Sequence, residues 1–318
     1  MGCLRAEPPS LVRVWPTMGT FLRVEVVGLS EVEALRAVQE AHAVVDRWDR
    51  LMSLYKTDSE ISVLNREGFN RCVSVSAETR EMIGLALKIA KETEGAFDPT
   101  AGSSPKGIHR GHESVESGEN CFRFRRRGIR IDLGGIAKGG ALEKALIPLR
   151  KSGARAALVD LGGNAGVFGG RRSGERWKFN VALPPPSEAQ LPPIQLLEGY
   201  ISTSNQSERP GHILNPETGK SVRNDLLSVT VLSMDGARGD AASTALFVMG
   251  ARRAKEYLKD HTEIGGCLVR TSGPSASREE DRLFCRPYEA RNVNGALSSS
   301  PSSRLNPKDL PVLFWPPL

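Results

Sequence analysis

The sequence predicts an α+β fold of mixed α/β character with a mostly central sheet. Three observations lead there. Apolar and polar residues alternate in some segments, as at Leu22, Val24 and Val26, the period of a half-buried strand. Elsewhere apolar residues return every three or four positions, as at Leu35, Val38, Ala41, Val45 and Trp48, the period of an amphipathic helix. The two kinds of segment mix without a strict strand–helix–strand repeat, so a regular parallel sheet is not implied. With 318 residues, 39% apolar and 25% charged, the chain can bury the core of one large domain or two small ones.

In chain order, Phe21 to Val27 is the first strand. Ser30 and Glu33 form a capping box that opens the helix of Val38 and Trp48. A second helix covers Ser76 to Glu94 and stops at Gly95. Residues 99–120 read as loop. The alternation Phe122, Phe124, Ile129, Ile131 reads as a strand ending in Asp132-Leu133-Gly134-Gly135, which turns into a helix from Ile136 to about Ser152. Ala156 to Asp160 is a buried strand bounded by Gly162 and Gly163. Lys178 to Leu183, Tyr200 to Thr203 and Leu227 to Leu232 are further strands. Gly239 to Met249 and Ala251 to Lys259 are helices, and Cys267 to Arg270 closes the sheet. Residues 1–13 read as an N-terminal extension and 14–272 as the domain. Residues 273–318 turn to Pro and Ser without a period and read as poorly ordered or draped over the domain, with Phe314 and Trp315 to dock them.

Charge and cysteine content exclude several classes. The formal net charge is +6, but the densest basic run, Arg123 to Arg130, sits in an alternating segment and reads as a solvated face, against a nucleic-acid partner. Five scattered cysteines, with no C-x-x-C and no His at ligand spacing, argue against structural zinc and a dense disulfide framework. A single disulfide and the redox compartment stay open. No run of about 18 apolar residues exists to span a membrane. The first ten residues hold no apolar core of a signal peptide. Cys3 reads as the remnant of a lipidated cysteine, or Gly2 as a myristoylation-like start with Ala6 where that pattern wants Ser or Thr.

Three segments carry chemistry. A strand that ends in Gly134-Gly135 and opens a helix leaves amide N–H groups free for an anion, with Lys138 adding charge and Asp132 an acceptor; taken as a shape alone, the same residues more often make a structural turn. His212, after the polar run from Ser202 to Arg209, reads as an accessible imidazole suited to take a hydroxyl proton, or as a surface residue. Asp240 and Thr244 are four apart and share one helical face, a carboxylate and hydroxyl of the hard-oxygen kind that suits Mg²⁺; the alternative is that Asp240 caps the helix.

Taken in order, a longer set of motifs is more specific. Pro16-Thr-Met18-Gly-Thr20, Leu51-Met-Ser-Leu-Tyr55 with Asp58-Ser-Glu60, Gly95-Ala-Phe-Asp98-Pro-Thr100, Asp132 to Gly139, Val159 to Asn164, Ser202 to Arg209, His212 to Gly219 and Gly239 to Thr244 resemble the FAD:protein FMN transferase family, the ApbE-like flavin transferases, from about residue 14 to about 270. The resemblance implies two interleaved α/β halves around central sheets with the flavin site between them. It implies an enzyme that binds FAD and Mg²⁺, releases AMP, and joins FMN by a phosphoester bond to Thr or Ser of an acceptor flavoprotein. By position, Met18, Tyr55, Ala96, Phe97 and Asp98 would line the flavin site, and Asp132, Lys138 and the backbone at Leu214 would touch FAD. The Gly135 carbonyl, Asp240 and Thr244 would hold Mg²⁺, with Ser243 where some relatives carry a further ligand, and His212 would be the catalytic base. Family members commonly work in the cell envelope, on the outer face of the cytoplasmic membrane, often lipid-anchored. The sequence departs from the pattern in three places: 98–132 is short and lacks a Trp-Gly element, Asn215 stands where Asp is usual, and 207–211 is shortened. An FAD pyrophosphatase that uses water as acceptor, or a non-catalytic FAD-binding protein, are the alternatives these residues allow.

Overall fold

The computed structural model describes residues 8–103, 110–171, 175–181, 193–206, 211–270 and 283–286. One antiparallel sheet organises them. From edge to edge its strands are β1 (Ser10–Thr17), β2 (Thr20–Val27), β6 (Ala156–Leu161), β7 (Asn164–Phe168), β10 (Glu198–Asn205), β11 (Leu226–Ser233), β12 (Gly265–Arg270) and β13 (Leu283–Arg286). Helices α1 (Glu31–Met52) and α4 (Ala137–Lys151) cover the first four of these strands, and α5 (Gly236–Asp260) covers β10, β11 and β12. The expected two halves are therefore two halves of one sheet, each roofed by its own helices.

Burial explains the arrangement. Leu22 and Val24 of β2 and Val159 and Leu161 of β6 meet Val45 and Trp48 of α1 and Leu142 of α4 in one core. Val229 and Val231 of β11 meet Leu246 and Leu258 of α5 in a second. Each such side chain contributes about 1.5–3 kcal/mol when fully buried. The far side of the sheet is covered by a hairpin of β8 (Trp177–Phe179) and β9 (Ile194–Leu196) over Leu158, Val167 and Ile201. A peripheral unit holds α2 (Glu60–Glu67), α3 (Ala77–Glu92) and a small sheet of β3 (Val73–Ser74), β5 (Cys121–Phe124) and β4 (Val115–Ser117). Between the two halves α4 and α5 touch backbone to backbone: a Cβ on Gly139 would lie 2.0 Å from the Gly236 carbonyl oxygen.

Several elements differ from the sequence expectation. Strand β1 starts at Ser10, inside the segment read as an extension, because it pairs with β2 over its whole length and Trp15 stacks on His42 of α1. Residues 129–133 are not a strand. Ile129, Ile131 and Leu133 are buried in alternation, but the Asn65 side chain, not a neighbouring strand, satisfies Ile131 on both its N–H (2.7 Å) and its carbonyl (2.8 Å). The loop 99–120 contains a 3-10 turn at Gly111–Ser114 and β4. Helix α5 opens at Gly236, not Gly239, and its two expected parts meet at Gly250, which leaves helical geometry (φ 76°, ψ 166°). Strand β13 lies within the segment read as a tail. Leu183, Phe314, Trp315, Gly2, Cys3 and Ala6 fall outside the described residues. Two disulfides form where one was left open: Cys72–Cys121 joins the residue before β3 to the start of the neighbouring β5, and Cys267–Cys285 joins β12 to β13.

Candidate functional site

A cavity of about 390 Å³ opens at the junction of the two halves, and nearly every residue singled out from the sequence lines it. Met18 comes from the β1–β2 hairpin, whose two-residue turn Met18-Gly19 has φ 50° and 70°. That is the geometry tight hairpins prefer, and it is costly for a residue with a side chain, so the hairpin holds Met18 at the rim against a local strain. Tyr55 follows the end of α1 and is 89% exposed, its ring free on the rim. Ala96, Phe97 and Asp98 follow α3, where the Thr93 hydroxyl accepts from the Phe97 N–H (3.1 Å). His212 is exposed on the opposite wall beside Leu214.

The cavity floor is built at the start of α4 and on the second turn of α5. Asp240 is not a helix cap: Asp235 caps α5, its side chain accepting from the Arg238 N–H at 2.8 Å. Asp240 lies inside the helix, 4% exposed, and its carboxylate reaches across to the other half of the sheet. One oxygen accepts from the Gly139 N–H (2.9 Å) and the other from the Asn164 side-chain amide (3.2 Å). The α4 start therefore spends a free amide on this carboxylate, correcting the expectation that its amides stand open for an anion. Burial pushes the Asp240 carboxyl up from its ordinary value; the Lys138 charge, then the Gly139 and Asn164 hydrogen bonds, oppose the shift.

Around Asp240 the donors are oxygens. Thr244 lines the cavity one turn on, held by the Ser204 hydroxyl at 3.3 Å. The bare Cα of Gly135 faces it, since a Cβ there would lie 3.1 Å from the Thr244 hydroxyl. Ser243 is the exception among the expected residues: fully buried, it donates to the Asp240 carbonyl (2.8 Å), bonds Ser204 (2.7 Å) and stands behind the wall. No cluster of three or more His, Cys, Asp or Glu occurs among the described residues. One carboxylate and a hydroxyl beside the Gly135 backbone fit a hard cation that keeps waters or phosphate oxygens in its other positions, as Mg²⁺ does.

Three residues of the site were not found from the sequence. Asn164 and Ser204 support the floor; both lie in motifs the sequence pointed to, but without a role assigned to either. The third, His112, lay unnoticed in a segment read as loop; its Nδ1 is 2.7 Å from Asp98 Oδ2, with both side chains almost completely buried. Asn215, where the family pattern has Asp, is spent on its own turn: its side-chain oxygen accepts from the N–H groups of Glu217 (2.9 Å) and Thr218 (3.1 Å). A carboxylate oxygen would accept the same two bonds, so the exchange leaves the turn beside His212 intact.

Comparison with known proteins agrees with this geometry. The ApbE family model matches residues 18–268. An FAD:protein FMN transferase of Klebsiella pneumoniae (strain 342) is 27% identical over 294 residues, covering 80% of this chain and 83% of its own. One from Treponema pallidum (strain Nichols) is 26% identical over 312 residues, covering 83% and 86%. Among solved structures, the flavin transferase ApbE from Vibrio cholerae superposes with a TM-score of 0.75 at 23% identity, over 88% of this chain and 97% of that one. The ApbE protein from Thermotoga maritima gives 0.73 at 25% identity, over 82% and 94%. The family match spans the cavity walls from the Met18 hairpin to α5 and covers most of the chain, which therefore belongs to the ApbE family.

Proposed function

We propose that this chain is an FAD:protein FMN transferase that moves the FMN half of FAD onto a Thr or Ser hydroxyl of an acceptor flavoprotein and releases AMP. The observation that carries the reading is the placement of Asp240, Thr244 and Gly135 on the floor of a cavity whose walls hold Met18, Tyr55, Phe97, Lys138 and His212. Gly135, Asp240 and Thr244 would hold Mg²⁺, which neutralises phosphate charge when bound. Gly139 and Asn164 fix the Asp240 carboxylate before any ligand arrives. Lys138 places its ammonium near the same carboxylate and the cavity, where it steadies phosphate oxygens as charge gathers on them. Tyr55 presents a free ring at the rim for a flat heterocycle, a contact worth about 0.5–1.5 kcal/mol.

The reaction balances as a phosphoryl transfer. The acceptor hydroxyl oxygen bonds to the phosphorus of the FMN half, the bond from that phosphorus to the AMP oxygen breaks, and AMP departs with the electron pair. A ring nitrogen of His212 takes the hydroxyl proton; exposure of this imidazole on the wall leaves room for an incoming polypeptide. Two disulfides support a site of action outside the reducing cytoplasm, in the cell envelope.

AMP release from FAD with Mg²⁺, measured with and without a Thr-containing acceptor domain, tests the reading. Release that depends on the acceptor, with flavin retained on it after denaturation, is the expected result. Acceptor-independent release of FMN and AMP makes the chain a pyrophosphatase, and bound FAD without release makes it a flavin-holding protein.

A further inference from the structure

We propose that His112 is a positioning residue for substrate: it fixes the Asp98 carboxylate so that one remaining acceptor site takes a hydroxyl or amino hydrogen of the nucleotide. The proposal rests on the flavin-nucleotide reading of the cavity and adds a residue that the family pattern does not supply.

The argument begins with a count of lone pairs. Asp98 lines the cavity, yet its side chain is 1% exposed, and no ion pair joins it to a Lys or Arg among the described residues. Oδ1 accepts from the Thr100 N–H (2.8 Å) and the Thr100 hydroxyl (2.5 Å), which fills it. Oδ2 accepts from His112 Nδ1 at 2.7 Å, which leaves one acceptor direction. Asp98 is a lining residue of the cavity, and a buried carboxylate that keeps one acceptor direction is stabilised by a further donor, such as the hydroxyl or amino groups a nucleotide carries.

The chain is shaped to deliver the imidazole. His112 sits in the 3-10 turn Gly111–Ser114, entered through Arg110 at φ 50°, a left-handed conformation that a residue with a side chain adopts at a cost. The turn comes so close to Thr100 that a Cβ on Gly111 would lie 2.3 Å from the Thr100 hydroxyl oxygen. Both features press the turn onto the Asp98-Pro99-Thr100 segment. His112 itself is 3% exposed, so it does not serve a surface role. This is the stretch in which the sequence lacks the usual Trp-Gly element, and the turn takes over the bracing of that wall.

The test uses the full chain and FAD itself, with binding read by quenching of flavin fluorescence. His112→Leu removes the donor and is expected to weaken FAD binding by about 10- to 100-fold, the range for a lost hydrogen bond to a charged group. His112→Asn puts an amide N–H where Nδ1 stood and is expected to restore affinity to within a few-fold of the wild type. His112→Gln puts its amide at the reach of the other ring nitrogen and is expected to stay weak. A His112→Leu protein that binds FAD like the wild type overturns the proposal, as does an Asn variant no better than Leu. If His112→Leu does not fold, the Asn and Gln variants decide between them, and equal affinities overturn the proposal. A wild-type chain that binds no FAD overturns the flavin reading as well, so the two failures are distinguishable.

Discussion

At the residue scale the site turns on two side chains with opposite environments. His212 is exposed on the cavity wall, while Asp240 is enclosed and held by the Gly139 N–H and the Asn164 amide. Removing the imidazole in His212→Ala is expected to slow flavin transfer by roughly 100- to 10,000-fold, the usual range for a general base, with FAD binding little changed. Normal labelling of the acceptor by that variant would remove His212 from the mechanism. Asn164→Leu leaves one Asp240 oxygen without its donor and is expected to weaken binding of Mn²⁺, a spectroscopic substitute for Mg²⁺, by about 10- to 100-fold, read by electron paramagnetic resonance. Unchanged Mn²⁺ affinity would mean that Gly139 alone orients the carboxylate. These roles were unequally legible in the sequence. Asp240 and Thr244 announce themselves by their spacing and by the motif around them. Asn164 and His112 do not, because each acts on a carboxylate 76 or 14 residues away and no local pattern encodes that pairing.

At the element scale the contact of α4 with α5 sets the site. Gly139→Ala forces a methyl group toward the Gly236 carbonyl, where neither backbone can yield. Overpacking of this kind costs about 1–3 kcal/mol, and the variant is expected to show a lower urea midpoint together with loss of transfer. The same contact contains a titrating pair. Glu143 of α4 accepts from the Gly236 and Ala237 N–H groups at the start of α5, next to the capping Asp235. Burial, then the Asp235 charge, raises the Glu143 carboxyl to about 7. For an acid raised on folding, the stabilising contribution is complete below the unfolded value near 4.5 and is lost as pH rises through 7. Stability is therefore expected to fall by about 1–2 kcal/mol between pH 4.5 and 7, after allowance for the solvent that reaches the pair. Glu143→Gln should flatten that slope, and denaturant melts across the window would show it; an unchanged slope would assign it to other groups. The helices themselves were legible, from the Ser30–Glu33 box and the 3.6-residue period, but the close approach was not: Gly236 lies outside the helix read from Gly239, and nothing in the sequence pairs it with Gly139.

At the scale of the whole molecule the mixed α/β character was legible and the topology was not. Alternation revealed β2 and an apolar run bounded by Gly162 and Gly163 revealed β6, whereas β7, with the sequence Asn164 to Phe168, hides behind glycines and becomes a strand only because β6 and β10 flank it. The disulfides belong to this scale too, since each joins segments that only the fold brings together. Cys72–Cys121 spans 49 residues and Cys267–Cys285 spans 18, and in the chain-entropy account such links stabilise by about 4 and 3 kcal/mol. The second also fixes the edge strand β13, which among the described residues pairs with β12 alone. Of the five cysteines, these bonds use four and leave Cys3. Protein unfolded in guanidinium without reductant is expected to show no more than one reactive thiol, and five after reduction. The oxidised form should melt higher than the reduced one, and chain exported to an oxidising compartment should match the oxidised form. Three or more free thiols in the exported protein would mean that at least one of these bonds is absent there, and the support they lend to a site of action in the cell envelope would fall with it.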